Sequence, residues 1–386
     1  MPVIAVNTRL LLKGKLEGIG RFSFETLRRI TTNHPDYQFV FLFDRPFDPD
    51  FLFSKNITPL IISPQARHPL LYMAWFEFSL ASVLNKLKPD LFLSPDGYLS
   101  LNAKGPCLPV IHDINFLHFP QHLSWVNAKY YNYYFPKFAR KASRIATVSE
   151  FSKSDIARHY HIDASLIDVV YNGVNEEFVQ LLPDEVDGVR KKWSRGLPYF
   201  FYVGSLQPRK NIAGLMRAYQ LFRKKCDQKF LLLIAGQKYL WNKEMQEALD
   251  THEFKSDIVF TGRLSDEDLY ALTAAAHCAT YVPFFEGFGI PVIEAMKCGV
   301  PVITADVSSL PEVAGNAALL IDPNLPESIA DAMVKVAMDK GLVKELAAKG
   351  LERAKDFHWD ASADKLWLSM QRAMNPLTGH ENVGLC

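Results

Sequence analysis

The sequence predicts an α/β protein in which two domains are each built around a parallel sheet. Short apolar runs alternate with helical patterns along most of the chain, and this alternation is typical of βαβ units. The length points the same way, because 386 residues exceed one ordinary hydrophobic core. The predicted strands form two series, at 3–6, 39–43, 91–93, 108–111, 145–148 and 167–170, and at 199–203, 230–234, 258–260, 279–282, 300–303 and 318–321.

The segments between and after these series complete the predicted organisation. Residues 175–198 are charged and carry no core strand, so we expect the linker there. This places the first domain at 1–178 and the second at 195–358. Beyond residue 322 the pattern is helical, and the segment from residue 359 is long enough to cross back onto the first domain.

Composition limits the class of protein. The chain is 48% hydrophobic and 22% charged, as in soluble globular proteins, and its net charge of +1 argues against a surface built for nucleic acid. Five scattered cysteines without a C-x-x-C pair indicate a reducing compartment and no structural metal. The N-terminus has the pattern of a first strand rather than a signal peptide. The apolar stretch 70–84 is shorter than the about 20 residues of a membrane span and predicts a core helix.

The most informative segment, EGFGIPVIE, spaces two carboxylates around a Gly-x-Gly turn. Glu286 falls on a loop after a predicted strand, and Glu294 lies one turn inside the following helix. Free N–H groups at the start of that helix suit a diphosphate, whereas acids beside it accept hydrogen bonds from hydroxyl groups. A nucleotide-sugar combines both chemistries. The alternative, a loop acid and a solvated helix acid, is disfavoured by the apolar surroundings of Glu294.

A basic loop follows the first strand of the second series. The segment GSLQPRKN, which starts at Gly204, places Arg209 and Lys210 at the carboxyl end of that strand. Two cations in such a loop can neutralise a diphosphate leaving group. The alternative is an ordinary helix entry with Asn211 as its cap.

Three further strand ends carry candidate residues. His112 and Asp113 follow the predicted strand 108–111, at the end where open α/β sheets bind ligands. The segment TGRLS, after 258–260, leads into a helix capped by Ser265. The segment EGIGR, after the first strand, opens a helix but lacks the third glycine of the dinucleotide fingerprint. The respective alternatives are a hydrogen-bonded strand-end histidine, a simple helix cap and a tight turn.

These motifs resemble those of the retaining glycosyltransferases of family 4. EGFGIPVIE is similar to the acidic Glu-x7-Glu motif of that family, and GSLQPRKN is similar to its Gly-x-x-x-x-Arg-Lys-Asn loop. The resemblance implies the GT-B fold, in which two Rossmann-like parallel-sheet domains face each other across a cleft and the last helix crosses back to the first domain. It therefore assigns residues 359–386 of this chain to the first domain. Within the family, the chain looks most like bacterial mannosyltransferases of polysaccharide and O-antigen assembly.

The resemblance also implies roles for individual residues. Glu286 would contact the donor sugar and Glu294 the ribose, while Arg209 and Lys210 would stabilise the donor phosphates. His112 would lie close to the sugar and act through hydrogen bonds. The other implied donor contacts are Gly287, Phe288, Gly289, Ile290, Gly204, Ser205, Gly262, Arg263 and Leu264, and those of the phosphate and acceptor loop are Gly18, Gly20 and Arg21. At Ser205 the chain departs from some members, which carry an additional arginine there.

The implied activity is transfer of a hexose from a nucleotide-sugar to a saccharide or an undecaprenyl-linked saccharide. GDP-mannose is the first choice of donor and UDP-sugars are the second. No carboxylate is identifiable as a nucleophile, so the family's same-face substitution is the expected mechanism. We expect no cofactor and no metal, because neither Asp48-Pro-Asp50 nor Asp266-Glu-Asp268 follows a strand as a metal-binding Asp-x-Asp would. A GT-B epimerase or phosphorylase and a non-catalytic nucleotide-sugar-binding protein are the alternatives.

The expected location is the cytoplasm, at the inner face of the cytoplasmic membrane for a lipid-linked acceptor. The segment 130–141 mixes aromatic and basic residues, a composition typical of an interfacial helix. Packing of its tyrosines in the first domain is the alternative.

Overall fold

The computed structural model describes residues 1–66 and 68–375, and it confirms the predicted fold. The first domain contains seven parallel strands: β1 Val3–Asn7, β2 Gln38–Phe43, β3 Ile57–Ile61, β4 Leu91–Ser94, β5 Cys107–Pro109, β6 Ile145–Thr147 and β7 Ile167–Val169. Five of them form a sheet in the order β3-β2-β1-β4-β5, and β6 pairs with β7. A bridge between Val110 and Ala146 links that pair to the end of β5.

One strand, β3, is missing from the sequence prediction. It lies at the edge of the sheet, contains Pro59, and leaves Leu60 and Ile61 40% and 48% exposed. An edge strand tolerates proline and buries little apolar surface. Pro59 interrupts the apolar residues of this segment, and a proline inside an apolar run argues against a strand unless the strand lies at a sheet edge.

Helices cover both faces of the first sheet. The predicted core helix at 70–84 consists of two α-helices joined by a π-helical segment at Trp75–Leu80, whose Trp75 and Phe76 are fully buried. The α-helices of this domain are α1 Ile19–Asn33, α2 Pro69–Ala74, α3 Ala81–Leu87, α4 Asn115–His118, α5 Trp125–Lys141 and α6 Glu150–Tyr160, with short 3-10 turns at Pro49–Phe51, Pro120–His122 and Ala164–Leu166.

The second domain repeats the architecture with six parallel strands: β8 Tyr199–Val203, β9 Leu231–Ala235, β10 Ile258–Gly262, β11 Cys278–Tyr281, β12 Val302–Ala305 and β13 Leu319–Ile321. Their order is β10-β9-β8-β11-β12-β13. In both sheets the order reverses beside the first strand, between β1 and β4 and between β8 and β11. Open α/β sheets bind ligands at such points, outside the carboxyl ends of the strands.

The predicted linker contains a helix, α7 Pro183–Ser194, and no strand. The helices of the second domain are α8 Ile212–Lys225, α9 Lys243–Asp250, α10 Asp266–Ala274, α11 Ile290–Lys297, α12 Leu310–Ala314, α13 Pro326–Met338 and α14 Lys340–Ala354, with 3-10 turns at Pro208–Lys210 and Lys255–Asp257. Within the described part of the chain, no helix combines the length and apolar character needed to cross a bilayer. Cys107, Cys226, Cys278 and Cys298 are buried and free, and Cys386 lies outside the described residues.

The last helix, α15 Trp359–Met374, crosses back onto the first domain as predicted. Its Ser369 hydroxyl donates a 2.7 Å hydrogen bond to Asp168 at β7. The ring of Trp367 stacks on His34 at the end of α1, with 3.7 Å between ring centroids. Residues 376–386 of the predicted segment 359–386 lie outside the described residues. The domain boundaries at 1–178 and 195–358 stay a prediction, and the strands of each sheet fall within them.

The two domains meet through the loops at the carboxyl ends of their strands. Ser149, at the start of α6, donates a 2.7 Å hydrogen bond to the carbonyl oxygen of Gly287. The carboxylate of Glu312 accepts hydrogen bonds of 2.8 and 3.0 Å from the backbone N–H groups of Glu150 and Phe151. These contacts bring the acidic loop of the second domain against the first.

Candidate active site

Glu286, Arg209 and Lys210 form a buried ion cluster between the carboxyl ends of β8 and β11. Arg209 Nη1 lies 3.0 Å from Glu286 Oε1, and Lys210 Nζ forms a shorter ion pair with the same oxygen. Lys210 Nζ also donates a 2.8 Å hydrogen bond to the hydroxyl of Tyr281. The side chains of the three charged residues are only 10–11% exposed. The predicted acid and the predicted basic pair thus meet in space, although 76 positions separate Lys210 from Glu286.

Burial opposes each of these charges, and the partners offset it to different degrees. Burial acts to raise the pKa of Glu286, but Lys210 and Arg209 together hold it below its usual range. Burial also lowers the pKa of Lys210, against the attraction of Glu286. Arg209 keeps its charge, because Glu286 and Asp113 raise its pKa in spite of burial. Glu286 is therefore an ionised carboxylate, held between the side chains of Arg209 and Lys210.

Serine side chains hold the backbone of the acidic loop. The hydroxyl of Ser309 donates hydrogen bonds of 2.9 and 3.0 Å to the carbonyl oxygens of Glu286 and Phe288. The hydroxyl of Ser308 accepts a 3.0 Å hydrogen bond from the N–H of Glu286. These bonds satisfy polar groups of the loop backbone and fix its position, so the backbone of Glu286 is held beside the two cations.

The residues between the two acids serve the site through their backbone. A Cβ atom at Gly287 would lie 2.5 Å from the carbonyl oxygen of His112, so glycine permits the close approach of the two domains. Gly289 has a φ of 108°, which favours glycine, at the entry to α11. The side chain of Phe288 is buried in the core, and that of Ile290 packs against it. Any donor contact by Phe288 would therefore come from its main chain.

Glu294 lies in the second turn of α11 and is half-buried. Among the described residues, none forms a hydrogen bond or an ion pair with its carboxylate. Burial raises the pKa of Glu294 to about 7, while Arg21 opposes the rise and Asp266 adds to it. An acid with unused acceptor sites in a weakly polar setting suits hydroxyl donors such as those of a ribose.

The loop after β8 is shaped by glycine. Gly204 has a φ of 150°, and its N–H donates a 3.0 Å hydrogen bond to Ala235. A Cβ atom at Gly236 would lie 1.8 Å from the carbonyl oxygen of Gly204, so the loops after β8 and β9 pack through glycine. The hydroxyl of Ser205 accepts a 2.9 Å hydrogen bond from Gln207. Ser205 is a short polar side chain held within its own loop, and it adds no third cation to Arg209 and Lys210.

His112 lies at the wall of the cleft formed by the first domain. Its Nε2 lies 2.9 Å from the carbonyl oxygen of Pro95, which assigns the Nε2–H donor to that bond. Burial lowers the pKa of His112, although the Pro95 carbonyl opposes this. The neutral ring then keeps Nδ1 as an acceptor. This state suits hydrogen bonding to a hydroxyl group.

The glycine loop of the first domain meets the loop after β10. Arg21 Nη2 lies 3.3 Å from Asp266 Oδ2, and Arg263 Nη1 lies 3.1 Å from Glu17 Oε1. The other predicted residues of these two loops adjoin the pairs in the chain: Gly18, Gly20, Gly262 and Leu264. The side chain of Leu264 packs against the core, so only its backbone remains for a ligand. Arg21 reaches towards Glu294 as well, as its effect on that carboxyl indicates.

Sequence reasoning missed several residues of the site. Tyr281 is the last residue of β11, and its position at a strand end was the available signal. Ser308 and Ser309 lie more than 20 positions after Glu286, and their local sequence carries no signal for this role. Ser149 caps α6 by accepting a 3.0 Å hydrogen bond from the N–H of Ser152, and its bond to the acidic loop was not foreseen.

Asn211 occupies the N-cap position of α8, as the alternative interpretation expected, but its side chain has a different role. Its side chain makes no capping hydrogen bond to α8. Instead, Nδ2 donates bonds of 3.0 and 2.8 Å to the carbonyl oxygens of Val282 and Pro323. Asn211 therefore ties the basic loop to the segments that follow β11 and β13.

Two family profiles match the chain. The profile described as "Glycosyl transferases group 1" matches residues 187–355, and the profile described as "Glycosyltransferase Family 4" matches residues 18–178. Together they span most of both domains.

Individual proteins of known name are similar as well. The O-antigen chain mannosyltransferase B of Escherichia coli is 29% identical over 360 residues, which are 90% of this chain and 94% of that protein. The O-antigen chain mannosyltransferase RfbU of Salmonella typhimurium is 29% identical over 226 residues, which are 58% of this chain and 59% of that protein. The structure of Anabaena HepE in complex with UDP and glucose is 18% identical and aligns with a TM-score of 0.73 over 96% of this chain and 99% of that one. Because the sequence identity to HepE is only 18%, this last similarity shows a shared fold and nothing more.

The profile matches and the full-length similarity to a mannosyltransferase agree with the acidic motif and the basic loop of this chain. Both domains of the fold are covered by the two profiles. The chain therefore belongs to family 4 of the glycosyltransferases and is a glycosyltransferase of the GT-B fold.

Proposed function

We propose that the protein is a retaining hexosyltransferase that moves mannose from GDP-mannose to a saccharide or lipid-linked saccharide, without a metal ion. The observation that carries the proposal is the convergence of Arg209 and Lys210 on the Glu286 carboxylate at the switch point of the second sheet. A donor diphosphate needs cations, and this cluster supplies two in the place where open α/β sheets bind nucleotides.

The cations and the carboxylate of the cluster would contact different parts of the donor. The guanidinium of Arg209 and the ammonium of Lys210 would stabilise the negative charge that develops on the departing diphosphate. Glu286 would accept hydrogen bonds from sugar hydroxyls and keep the cations in position. Further stabilisation would come from the free N–H groups at the start of α11. Metal independence follows in the proposal because side-chain cations and a helix terminus take the place of Mg²⁺.

The proposed chemistry is a same-face substitution. The bond between the anomeric carbon and the diphosphate oxygen breaks, and a bond from the acceptor oxygen to that carbon forms on the same face. The proton of the acceptor hydroxyl passes to the departing phosphate oxygen. His112, neutral and hydrogen-bonded to Pro95, would orient the sugar through hydrogen bonds. Closure of the domains would exclude water from the activated sugar.

Mannose is favoured by the two O-antigen mannosyltransferases that resemble this chain. Glu294 would bind the ribose, and the backbone at Gly262, Arg263 and Leu264 would hold the base. The loop with Gly18, Gly20 and Arg21 would reach the phosphates and the acceptor. A UDP-sugar donor is the competing outcome of the experiment below.

A lipid-linked acceptor would place the protein at the inner face of the cytoplasmic membrane. On α5, Trp125, Lys129, Tyr133 and Lys137 follow one another at helical spacing on one face. Trp125 and Tyr133 are 70% and 58% exposed, and Lys129 and Lys137 lie over their rings at 3.9 and 3.4 Å. Aromatic and basic side chains together suit an anionic membrane surface. Tyr130, Tyr131 and Tyr134, on the other hand, pack against the core of the first domain.

The first test is thermal unfolding of the protein with GDP, UDP, ADP and TDP and their sugars, with and without Mg²⁺. A ligand at 100 times its Kd adds about 2.7 kcal/mol of stability. We expect selective stabilisation by GDP and GDP-mannose that does not require Mg²⁺. Selective stabilisation by UDP would indicate a UDP-sugar as the donor in place of GDP-mannose, and a strict Mg²⁺ requirement would contradict metal independence.

The second test is turnover of Glu286→Gln. The amide keeps the size of the side chain but removes the charge that faces Arg209 and Lys210. We expect lost transfer with retained nucleotide binding, and the matched control is Glu327→Gln on the exposed face of α13. Unchanged transfer by Glu286→Gln would refute the site.

A further inference from the structure

A cluster of two histidines and one aspartate lies in the first domain, outside the proposed donor site. His118 Nε2 lies 3.0 and 2.8 Å from the two carboxylate oxygens of Asp155. His159 Nδ1 lies 3.0 Å from Asp155 Oδ1 and also 2.9 Å from the carbonyl oxygen of Asp155. One potential ligand atom from each residue lies within 4.8 Å of the other two.

The cluster is built on defined elements. Asp155 and His159 are four positions apart on α6, which places both side chains on one face of the helix. His118 is the last residue of α4 and faces them from a different segment. The rings of His118 and His159 are perpendicular, with centroids 5.2 Å apart. The fold therefore brings the three groups together from two helices.

We propose that His118, Asp155 and His159 bind a divalent transition-metal ion, with Zn²⁺ as the ion whose preferences they fit. Two imidazole nitrogens and one carboxylate oxygen form a three-residue ligand set of the kind that leaves further coordination positions open. Mg²⁺ and Ca²⁺ prefer sets made of oxygen atoms, which this cluster does not offer. The site is distinct from the metal-independent donor site proposed above.

The distances agree with this assignment. Bonds of about 2.0–2.2 Å to Zn²⁺ place tetrahedral ligand atoms roughly 3.4 Å apart. The separations of 2.8–3.0 Å between the carboxylate oxygens and the two ring nitrogens are those of hydrogen bonds. Displacements of a few tenths of an ångström would therefore convert the hydrogen-bonded cluster into a coordinated one, in which the ion takes the place of the proton on each ligating nitrogen and each neutral imidazole keeps its one proton on the other ring nitrogen.

Access from solvent is available. The side chains of His118 and His159 are 28% and 33% exposed, whereas that of Asp155 is 8% exposed. An ion can therefore reach the two imidazoles from the surface while the buried carboxylate neutralises part of its charge. The ring of His118 also lies 5.0 Å from that of Phe285, the residue before Glu286. An ion on His118 would thus sit beside the domain junction without contacting the donor residues.

The test is titration of chelator-treated full-length protein with ZnCl₂, followed by isothermal calorimetry, and with CoCl₂, followed by visible absorption. We expect one ion per chain and cobalt d–d bands without the sulfur-to-metal charge transfer that a cysteine site would produce. Metal content after dialysis, measured by elemental analysis, gives an independent stoichiometry. MgCl₂ in place of ZnCl₂ should give no saturable heat.

The variants are His118→Ala, His159→Ala and, as a control, His161→Asn. His161 lies just beyond α6 in the left-handed region, with a φ of 56°, where asparagine is tolerated. Removal of either cluster histidine, as a direct ligand, should weaken Zn²⁺ binding by more than the about 10–100-fold that loss of an outer-shell partner costs, whereas the control should bind like the original protein. If an alanine variant does not fold, as judged by its thermal unfolding transition, His118→Gln and His159→Gln replace it.

Two results would overturn the proposal. One is the absence of saturable Zn²⁺ and Co²⁺ binding up to millimolar concentrations, which would leave Asp155 as a hydrogen-bond partner of two histidines. The other is unchanged binding after both cluster histidines are replaced, which would place the ion elsewhere. Neither result bears on the donor site, because the glycosyltransfer assay measures that site separately.

Discussion

The hydroxyl of Ser149 donates a 2.7 Å hydrogen bond to the carbonyl oxygen of Gly287, 138 positions later in the chain. The same hydroxyl accepts the capping bond from the N–H of Ser152 in α6. One side chain therefore completes a helix of the first domain and contacts the acidic loop of the second. The glycine matters to this contact, since a Cβ atom at Gly287 would collide with the carbonyl oxygen of His112.

Replacement of Ser149 by alanine should impair transfer beyond its effect on stability. The lost cap costs about 1 kcal/mol, and loss of the bond to Gly287 weakens the closed arrangement by about 1 kcal/mol, or about fivefold in kcat/KM. The matched control is Ser124→Ala, which removes the cap of α5 without a contact to the second domain. Thermal unfolding and transfer kinetics of both variants give the comparison, and equal kcat/KM would contradict the role of the interdomain bond.

Replacement of Gly289 by alanine should destabilise the second domain by about 1–3 kcal/mol. The residue has a φ of 108°, and a Cβ atom would lie 2.6 Å from Leu310 Cδ2. Gly188→Ala is the control, because Gly188 lies within α7 with open space around its Cβ position. That variant should gain about 0.5–1 kcal/mol from helix propensity. Urea unfolding of both variants measures these changes in stability. An unchanged free energy of unfolding for Gly289→Ala would show that the entry to α11 can relax.

The charge balance of the donor cluster predicts a non-additive pair of substitutions. Glu286→Gln leaves Lys210 and Arg209 buried without their anion and should cost about 3–5 kcal/mol. Adding Lys210→Met removes one of the two unpaired cations, so the double variant should be more stable than Glu286→Gln alone. Transfer should stay lost in both. A double-mutant cycle by urea unfolding provides the measurement, and strictly additive costs would mean that the two side chains do not interact.

The raised pKa of Glu294 predicts a pH-dependent stability. The folded protein holds this proton up to about pH 7, whereas the unfolded chain releases it near the ordinary glutamate pKa of about 4.3. The contribution of protonated Glu294 to the free energy of unfolding is therefore fully present below about pH 4.3 and is lost as the pH rises through 7. Relative to Glu294→Gln, the original protein should lose stability between pH 5 and 8. Urea unfolding across that range measures the difference, and parallel profiles would contradict the raised pKa.

The buried pair of Arg9 and Asp96 predicts a strong effect in the first domain. Arg9 Nε lies 2.5 Å from Asp96 Oδ2, and their side chains are 8% and 4% exposed. Asp96→Asn leaves the buried guanidinium without its anion and should cost about 3–5 kcal/mol. The control is Asp50→Asn, whose carboxylate pairs with the exposed Lys13 at 3.0 Å and should leave stability essentially unchanged. Equal unfolding midpoints for the two variants would contradict this assignment.

The sequence predicted the positions of the candidate donor residues well, because those positions depend on local patterns. Glu286 falls on the loop after β11, Glu294 lies within α11, and Arg209 and Lys210 follow β8. A strand, a tight turn and a helix start are each encoded within about ten residues, and parallel sheets collect such loops at one edge. The edge strand β3 escaped prediction because Pro59 interrupts its local pattern, and only the tertiary structure places that segment at a sheet edge, where proline is tolerated.

The sequence by itself therefore determined the α/β class, the two sheets and the loops that carry the site, and the family resemblance indicated that the last helix returns to the first domain. Only the tertiary structure decided which side chains meet. It pairs Arg209 and Lys210 with one oxygen of Glu286 and bonds Ser149 to Gly287. It also bonds the side chain of Asn211 to the carbonyl oxygen of Val282 and brings His118, Asp155 and His159 together. The physical reason is how far apart in the chain the interacting residues lie. Backbone conformation follows from neighbouring residues, whereas ion pairs, hydrogen bonds and ligand sets depend on how segments far apart in the chain pack together.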